Sequence, residues 1–356
     1  MKKLPNLTPI RFFLATFVLL FHVPQLSKNQ GLPYFNNLPM FHRGTEAVYM
    51  FFVLSGFLII RLIYKEKQRD SFSIRKFYIR RILRILPLYY FIVLFGFLFY
   101  QFLLPLLNIP YENNYDLSTG LALTVFFLPN VFASYQPGGV LEVLWSIGIE
   151  EQFYLIIAPL LYFLNKKKIL LVLSGIFFSY IIIYHTKDFY TLRKYHFIYF
   201  FMLSGGIMAI LEEKEKLDFL KKIRLIPIII ITCTFLFFFT DLFLIDHKFL
   251  YNGITCILFT LFIYTVSHLN FNIEIKSKLL NHLGNISYGI YMYHIIALNI
   301  IVFIFLKIQK MNIISDTVSI ILLNISTLVL TILISHISYT YFESYFLKIK
   351  NKYRIK

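Results

Sequence analysis

Arg11 and His22 stand eleven residues apart in the apolar stretch LTPIRFFLATFVLLFHV. Eleven steps of about 100° come to ~1100°, only ~20° beyond three turns, so both side chains project from one helix face. They sit roughly 16 Å apart along the axis. Ionisable groups inside a membrane helix are costly and mark a reaction centre or a path for substrate or protons. A neutral imidazole at position 22 could take a hydroxyl proton near pH 7. It could equally be polar glue, hydrogen-bonded between helices. Arg11 could face inward with it or snorkel to the headgroups.

Four further sets of residues carry chemistry. Glu150 and Glu151 follow Trp145 and Ser146 in WSIGIEEQFY. Adjacent carboxylates point about 100° apart on a helix, so at most one faces a given cavity squarely. Either could orient a histidine, bind a sugar hydroxyl or pair with an arginine. Arg80, Arg81 and Arg84 lie in RKFYIRRILRILPLYY. Arg81 and Arg84 are neighbours on one face, and two guanidinium forks at a membrane boundary suit a phosphate-bearing ligand or simply set topology and touch lipid. His294 shares a stripe with Tyr291 and Ser287, readable as a substrate-facing wall or as interhelical packing. Glu343 suits structural pairing with arginines.

These groups need elements to hold them. Apolar residues make up 58% of the 356-residue chain and charged ones 15%, with a mean hydropathy of +0.69. Such a composition fits an all-α polytopic membrane protein and no soluble class. The first apolar segment is too long, and too polar on one face, for a cleaved signal peptide. Cys233 and Cys256 fall in apolar stretches as small packing residues. Aromatics, 19% of the chain, suit lipid-facing and interfacial positions.

Hydropathy predicts spans near 8–26, 44–63, 82–104, 143–164, 169–185, 196–211, 225–244, 249–268, 286–306 and 316–345. With ten crossings and both termini cytoplasmic, most of the 35 Lys and Arg fall on one side, as the positive-inside rule requires. They cluster at Lys2–Lys3, 61–84, Lys166–Lys168, 212–224, 269–282 and 348–356. This distribution argues that the net charge of +17 serves topology, lipid and an anionic cofactor rather than nucleic acid. An eleventh crossing at 118–135 would put Lys166–Lys168 on the wrong side. That stretch, ended by Pro129 and followed by Gln136-Pro137-Gly138-Gly139, is therefore expected to be a re-entrant or tilted segment and to form a cavity wall beside WSIGIEEQFY. With this topology His22 and Glu150 both fall in the outer half of the membrane, where they could share one cavity. Residues 1–347 read as one membrane domain, and 348–356 as a basic cytoplasmic tail.

Five segments in order resemble the acyltransferase-3 family of bacterial integral membrane acyltransferases that modify surface polysaccharides. They are LTPIRFFLATFVLLFH, FFVLSGFLI, RRILRILPLYY, WSIGIEEQFY and GNISYGIYMYH. The resemblance implies a ten-helix transferase in the bacterial cytoplasmic membrane. It would move an acetyl or succinyl group from cytosolic acyl-CoA, typically acetyl-CoA, to a hydroxyl of a surface polysaccharide or lipid-linked sugar, with no metal. On this likeness His22 matches the essential histidine, with Glu150 and Arg11 as catalytic partners. Arg81 and Arg84, with Arg80, would engage the donor. Trp145, Ser146, Glu151, Tyr291 and His294 would face the acceptor, and polysaccharide-biosynthesis proteins would be the partners. Two positions depart from the family pattern. Glu343-Ser344-Tyr345 stands where Glu-x-Pro is usual, and Ala47 and Tyr49 stand where Gly and often an acidic residue occur. No segment resembles the extracytoplasmic esterase-like domain fused in some relatives. A different class also fits the residues: a proton-coupled exporter or flippase of a polysaccharide or lipid-linked sugar, with His22, Glu150 and His294 as a proton relay.

Overall fold

The computed structural model describes residues 4–221, 223, 225–268, 274–310 and 314–353. Parts of the predicted basic clusters (Lys2, Lys3, Lys222, Arg224, 269–273 and 354–356) lie outside the described residues. Ten principal helices occupy the ten expected segments. They are α1 (Leu7–Asn29), α2 (Gly44–Gln68), α3 (Ile74–Leu98), α4 (Trp145–Phe163), α5 (Ile169–His185), α6 (Tyr199–Glu213), α7 (Ile226–Phe239), α8 (Lys248–Val266), α9 (Ser287–Lys310) and α10 (Asp316–Ser338). The helix begun by α3 runs on to Leu106, and the one begun by α10 runs on to Asn351, each through a short π-helical turn.

Among the described residues six helices are long and apolar enough to cross a membrane: α1, α2, α8, α9 and the extended α3 and α10. A seventh crossing results if α5 and Lys187–Lys194, which meet at 89°, form one span. That bend was not anticipated from hydropathy. Helices α4, α6 and α7 fill the other expected segments but do not meet the requirements of length and apolarity together, α7 being apolar but short. The 118–135 stretch is broken into Leu117–Val125, Pro129–Phe132 and Ala133–Tyr135. Its turns are tied to the bundle: the Tyr89 hydroxyl donates to the Thr124 carbonyl at 2.8 Å, and Gln152 Nε2 donates to the carbonyl of Phe127 at 2.6 Å and to Asn130 Oδ1 at 2.8 Å. Such pairing is what broken backbone inside a helical bundle requires.

Helix α2 is the packing centre, with Ala47, Val53, Phe57, Ile60 and Ile63 fully buried. It crosses α6 backbone to backbone. A Cβ on Gly56 would collide with the Met202 carbonyl, and one on Gly205 with the Val53 carbonyl. Small residues at such a crossing let dispersion and backbone contacts do what lipid exclusion cannot. Helix α1 packs antiparallel to α2 because Gly44 leaves room for the Phe21 ring.

At the end where α1 begins, buried ion pairs lock the helices together. Arg61 bonds Glu212 at 2.9 Å and Glu213 at 2.6 Å; Lys65 reaches Glu213 at 2.8 Å and His268 reaches Glu212 at 2.8 Å. Burial alone would raise the Glu213 carboxyl, but Lys65 and Arg61 hold it below its ordinary range. Arg80 belongs to this structural set. Its Nη2 lies 2.9 Å from Glu66, and its Nη1 donates to the Tyr353 carbonyl at 3.3 Å. That bond ties down the helix Ser344–Asn351, which packs along α3.

Candidate active site: two cavities meeting at Tyr291

Five helices carry the candidate residues, and each contributes to two cavities in sequence order along its axis. Toward the basic end, a cavity of about 190 Å³ is lined by Arg11 of α1, Ser55 of α2, Arg81 and Arg84 of α3, Glu150 and Tyr154 of α4, and Ser287 and Tyr288 of α9. Toward the other end lies a cavity of about 1200 Å³. Its wall includes Val18, His22 and Gln25 of α1, Thr45 of α2, Trp145 of α4, and Ile295 and Asn299 of α9. Asn130 and Ser134 of the broken segment, with Gly139 and Glu142 of the short helix that follows it, close one side, as the segment's expected role as a cavity wall requires.

The smaller cavity is strongly cationic. Three guanidinium groups converge on it, and one carboxylate, Glu150, faces them. Arg11 has Arg84, Glu150, Arg81 and Tyr154 as its electrostatic neighbours. Glu150 accepts from the Tyr154 hydroxyl at 3.1 Å, and Tyr154 is in turn bonded to Ser55. The Arg81 guanidinium lies over the Tyr154 ring, 5.5 Å from its centroid, and its Nε holds no hydrogen bond among the described residues. Three cations against one carboxylate leave a surplus that suits an anionic ligand.

The larger cavity is lined mostly by aliphatic and aromatic side chains, with polar groups such as His22, Gln25, Asn130, Glu142 and His196 set among them. Trp145 and His196 lie with ring centroids 5.0 Å apart on its wall. His22 is half-buried there, with the Gln25 side chain as a hydrogen-bond partner one turn on. Behind it, out of the cavity, is His294, 1% exposed, with its ring centroid 5.2 Å from that of His22.

Val48 and Tyr291 border both cavities. The Tyr291 hydroxyl donates to the Val143 carbonyl at 2.9 Å and accepts from Ser146 Oγ at 2.7 Å. This bridge from α9 to the start of α4 is the partition between the two spaces.

The structure places the predicted residues unevenly. Arg11, Arg81, Arg84 and Glu150 come together, and His22, Trp145 and Tyr291 share the other cavity. Five expectations are corrected. Glu150 does not share a cavity with His22, because five residues of helix after Trp145 carry it past the partition to the arginines. Arg80 lines neither cavity; its guanidinium is consumed by Glu66. Glu151 lines neither cavity; it is buried, with Oε1 unpartnered among the described residues. His294 faces His22 rather than a cavity. Ser146 holds the partition instead of lining the acceptor side.

Several residues escaped the sequence reading. Gln25 had a local signal, since it follows His22 by one turn. Ser55 and Tyr154 lie within recognised motifs but pair across helices. Asn130, Lys194 and His196 reach the larger cavity only through tertiary packing, and nothing local marks them.

Known proteins resemble the chain over much of its length. It is 31% identical over 252 residues to an uncharacterised protein of Haemophilus influenzae, covering 62% of this chain and 98% of that one. It is 28% identical over 304 residues to a protein of Acidianus two-tailed virus provisionally named an acetyltransferase, covering 82% of each. It is 28% identical over 323 residues to the peptidoglycan O-acetyltransferase OatA of Listeria monocytogenes. That match covers 82% of this chain but only about half (49%) of the Listeria protein. No solved structure gives a significant match. The acyltransferase domain of the acyltransferase-3 family matches residues 5–339, so the chain belongs to that family of membrane acyltransferases.

Proposed function

We propose that the protein is an O-acyltransferase working across the bacterial cytoplasmic membrane, with ten helical segments and both termini in the cytoplasm. It takes an acetyl group from cytosolic acetyl-CoA and delivers it to a hydroxyl of a surface polysaccharide or lipid-linked sugar on the other side. The observation that carries this reading is the pair of cavities meeting at Tyr291: a small cationic one at the basic, cytoplasmic end and a large one opposite, mostly apolar and aromatic with polar groups such as His22 set in its wall.

Arg81 and Arg84 hold the phosphates of the donor, as bidentate forks do. At about 190 Å³ the inner cavity has room for the thioester end of the donor arm with a short acyl group, but not for the whole arm or a long acyl chain. The outer cavity, about 1200 Å³, exceeds the roughly 300–1,000 Å³ of ordinary small-molecule sites and has room for several sugar units. Trp145 offers a face on which a sugar ring can stack.

In the transfer step His22 removes the acceptor hydroxyl proton as the oxygen attacks the thioester carbonyl. The carbon–sulfur bond breaks, and the departing CoA thiolate takes the proton back from His22. Arg11, about three turns from His22 and in the inner cavity, lies along the path by which the thioester approaches and pairs with the anionic donor there. Glu150 keeps Arg11 and Arg81 in place rather than orienting His22. A proton relay from Glu150 to His22, as an exporter would need, would have to cross the Tyr291–Ser146 bridge.

Reconstituted protein supplied with radiolabelled acetyl-CoA on its basic side, and with soluble peptidoglycan fragments and chitotetraose on the other, should label the saccharide. His22→Ala should abolish transfer and leave acetyl-CoA binding intact. Wild-type transfer by that variant would sink the proposal.

A further inference from the structure

The His22–His294 pair holds an unanswered question. His294 sits on α9, and its Nδ1 lies 2.5 Å from the Tyr291 carbonyl oxygen. A carbonyl only accepts, so Nδ1 carries the proton and Nε2 is left with a lone pair. That nitrogen is buried and has no hydrogen-bond partner among the described residues. Leaving a buried polar atom unsatisfied costs about 1–3 kcal/mol, and such atoms in native structures call for an explanation. His22 is the polar group beside it, with 5.2 Å between ring centroids and 37° between ring planes. Ring nitrogens turned toward each other at that separation come within hydrogen-bond reach.

We infer that His294 is a positioning residue for His22: its Nε2 accepts the N–H of His22 and thereby fixes which nitrogen of His22 acts as the base. The inference rests on the acyltransferase reading and adds the residue that orients its base. The bond is not closed in the present arrangement. The His22 ring is only half-buried, and χ2 of histidine is soft, so a turn of that ring closes it. With one nitrogen of His22 bound to His294, the other faces Gln25 and the outer cavity, where an acceptor hydroxyl replaces the Gln25 contact. When that nitrogen takes the hydroxyl proton, His22 becomes an imidazolium whose second N–H is already held. The logic is that of the orienting member of a catalytic triad, with a neutral imidazole acceptor in place of a carboxylate. The Tyr291 carbonyl in turn orients His294, which links the base to the helix turn that builds the partition.

Two variants separate this role from simple packing. His294→Asn keeps a donor for the Tyr291 carbonyl but offers no acceptor to His22. His294→Gln loses that donor but places an amide oxygen near the former Nε2. Positioning predicts that kcat falls on the order of 10²-fold in the Asn variant, with KM for acetyl-CoA unchanged, and falls less in the Gln variant. A structural role predicts the reverse order. Independently, nitrogen-15 spectra of histidine-labelled full-length protein in nanodiscs should show a single His22 tautomer in the wild type and a mixture in His294→Asn. Unchanged His22 tautomers, or an Asn variant as active as Gln or more so, would overturn the inference while leaving the acyltransferase reading intact. Transfer that survives His22→Ala would instead remove the reading on which it rests.

Discussion

Replacing Tyr291 with Phe tests whether the two cavities communicate only through a closed partition. The substitution keeps the ring, which is buried and touches both spaces, and deletes only the hydroxyl. That hydroxyl makes two bonds, 2.7 Å to Ser146 Oγ and 2.9 Å to the Val143 carbonyl. Each is worth about 0.5–1.5 kcal/mol, so the closed state loses roughly 1–3 kcal/mol relative to an open one. A shift of that size raises the open fraction about 5- to 150-fold. Water from the outer cavity then reaches the thioester when no acceptor is present. Release of free CoA thiol from acetyl-CoA, measured on purified protein without saccharide, should rise by that factor. Ser146→Ala removes one of the two bonds and should give a smaller increase, about 2- to 12-fold. Hydrolysis at the wild-type rate in Tyr291→Phe, with acetyl-CoA binding and folding unchanged, would refute the partition.

Five other substitutions test the same structure. Arg84→Gln should weaken acetyl-CoA binding about tenfold to 150-fold, because a hydrogen bond to a charged group is worth about 1.5–3 kcal/mol; Arg80→Gln should leave that affinity alone and lower the Tm, since its guanidinium serves Glu66. Calorimetric titration of both variants separates the two arginines. Gly56→Ala should lower the Tm sharply, because the colliding group is the Met202 backbone, and overpacking typically costs about 1–3 kcal/mol. Gly175→Ala, inside α5 with nothing within 4 Å of the added carbon, is the control and should leave the Tm unchanged or raise it slightly, since alanine is the better helix former. Arg61→Ala breaks pairs whose side chains are 8% and 9% exposed and should cost about 3–5 kcal/mol in detergent unfolding. Glu213 titrates below its ordinary range, so its share of that stability is present at neutral pH and above the ordinary carboxylate pKa. It fades only as pH falls through its depressed value, and loss of this component on raising the pH would contradict the pairing.

The features that depend on neighbouring positions of one chain segment were legible in the sequence. The expected apolar segments fold as helices, because burial of backbone polar groups in an apolar medium permits little else, and six or seven of them are long and apolar enough to cross a membrane among the described residues. Arg11 and His22 fell on one helix face because helical periodicity is rigid over three turns. The broken character of 118–135 followed from charge bookkeeping on either side. What the sequence could not reveal was which face of each helix meets which neighbour. Glu150 and His22 looked like partners because both belong to recognised motifs at similar depth, yet the helix beyond Trp145 carries Glu150 past Tyr291 to the arginines. Arg80, Arg81 and Arg84 are alike in type, and only the position of Glu66 across the turn turns the first into a structural tie. His294 and Tyr291 differ in role because one turn of α9 sets one behind His22 and the other between the cavities. Spacing along a helix is local and rigid, so sequence determines it. Partnership across helices depends on rotation and tilt, and here glycine crossings such as Gly56 on Met202 and Gly205 on Val53 set those angles.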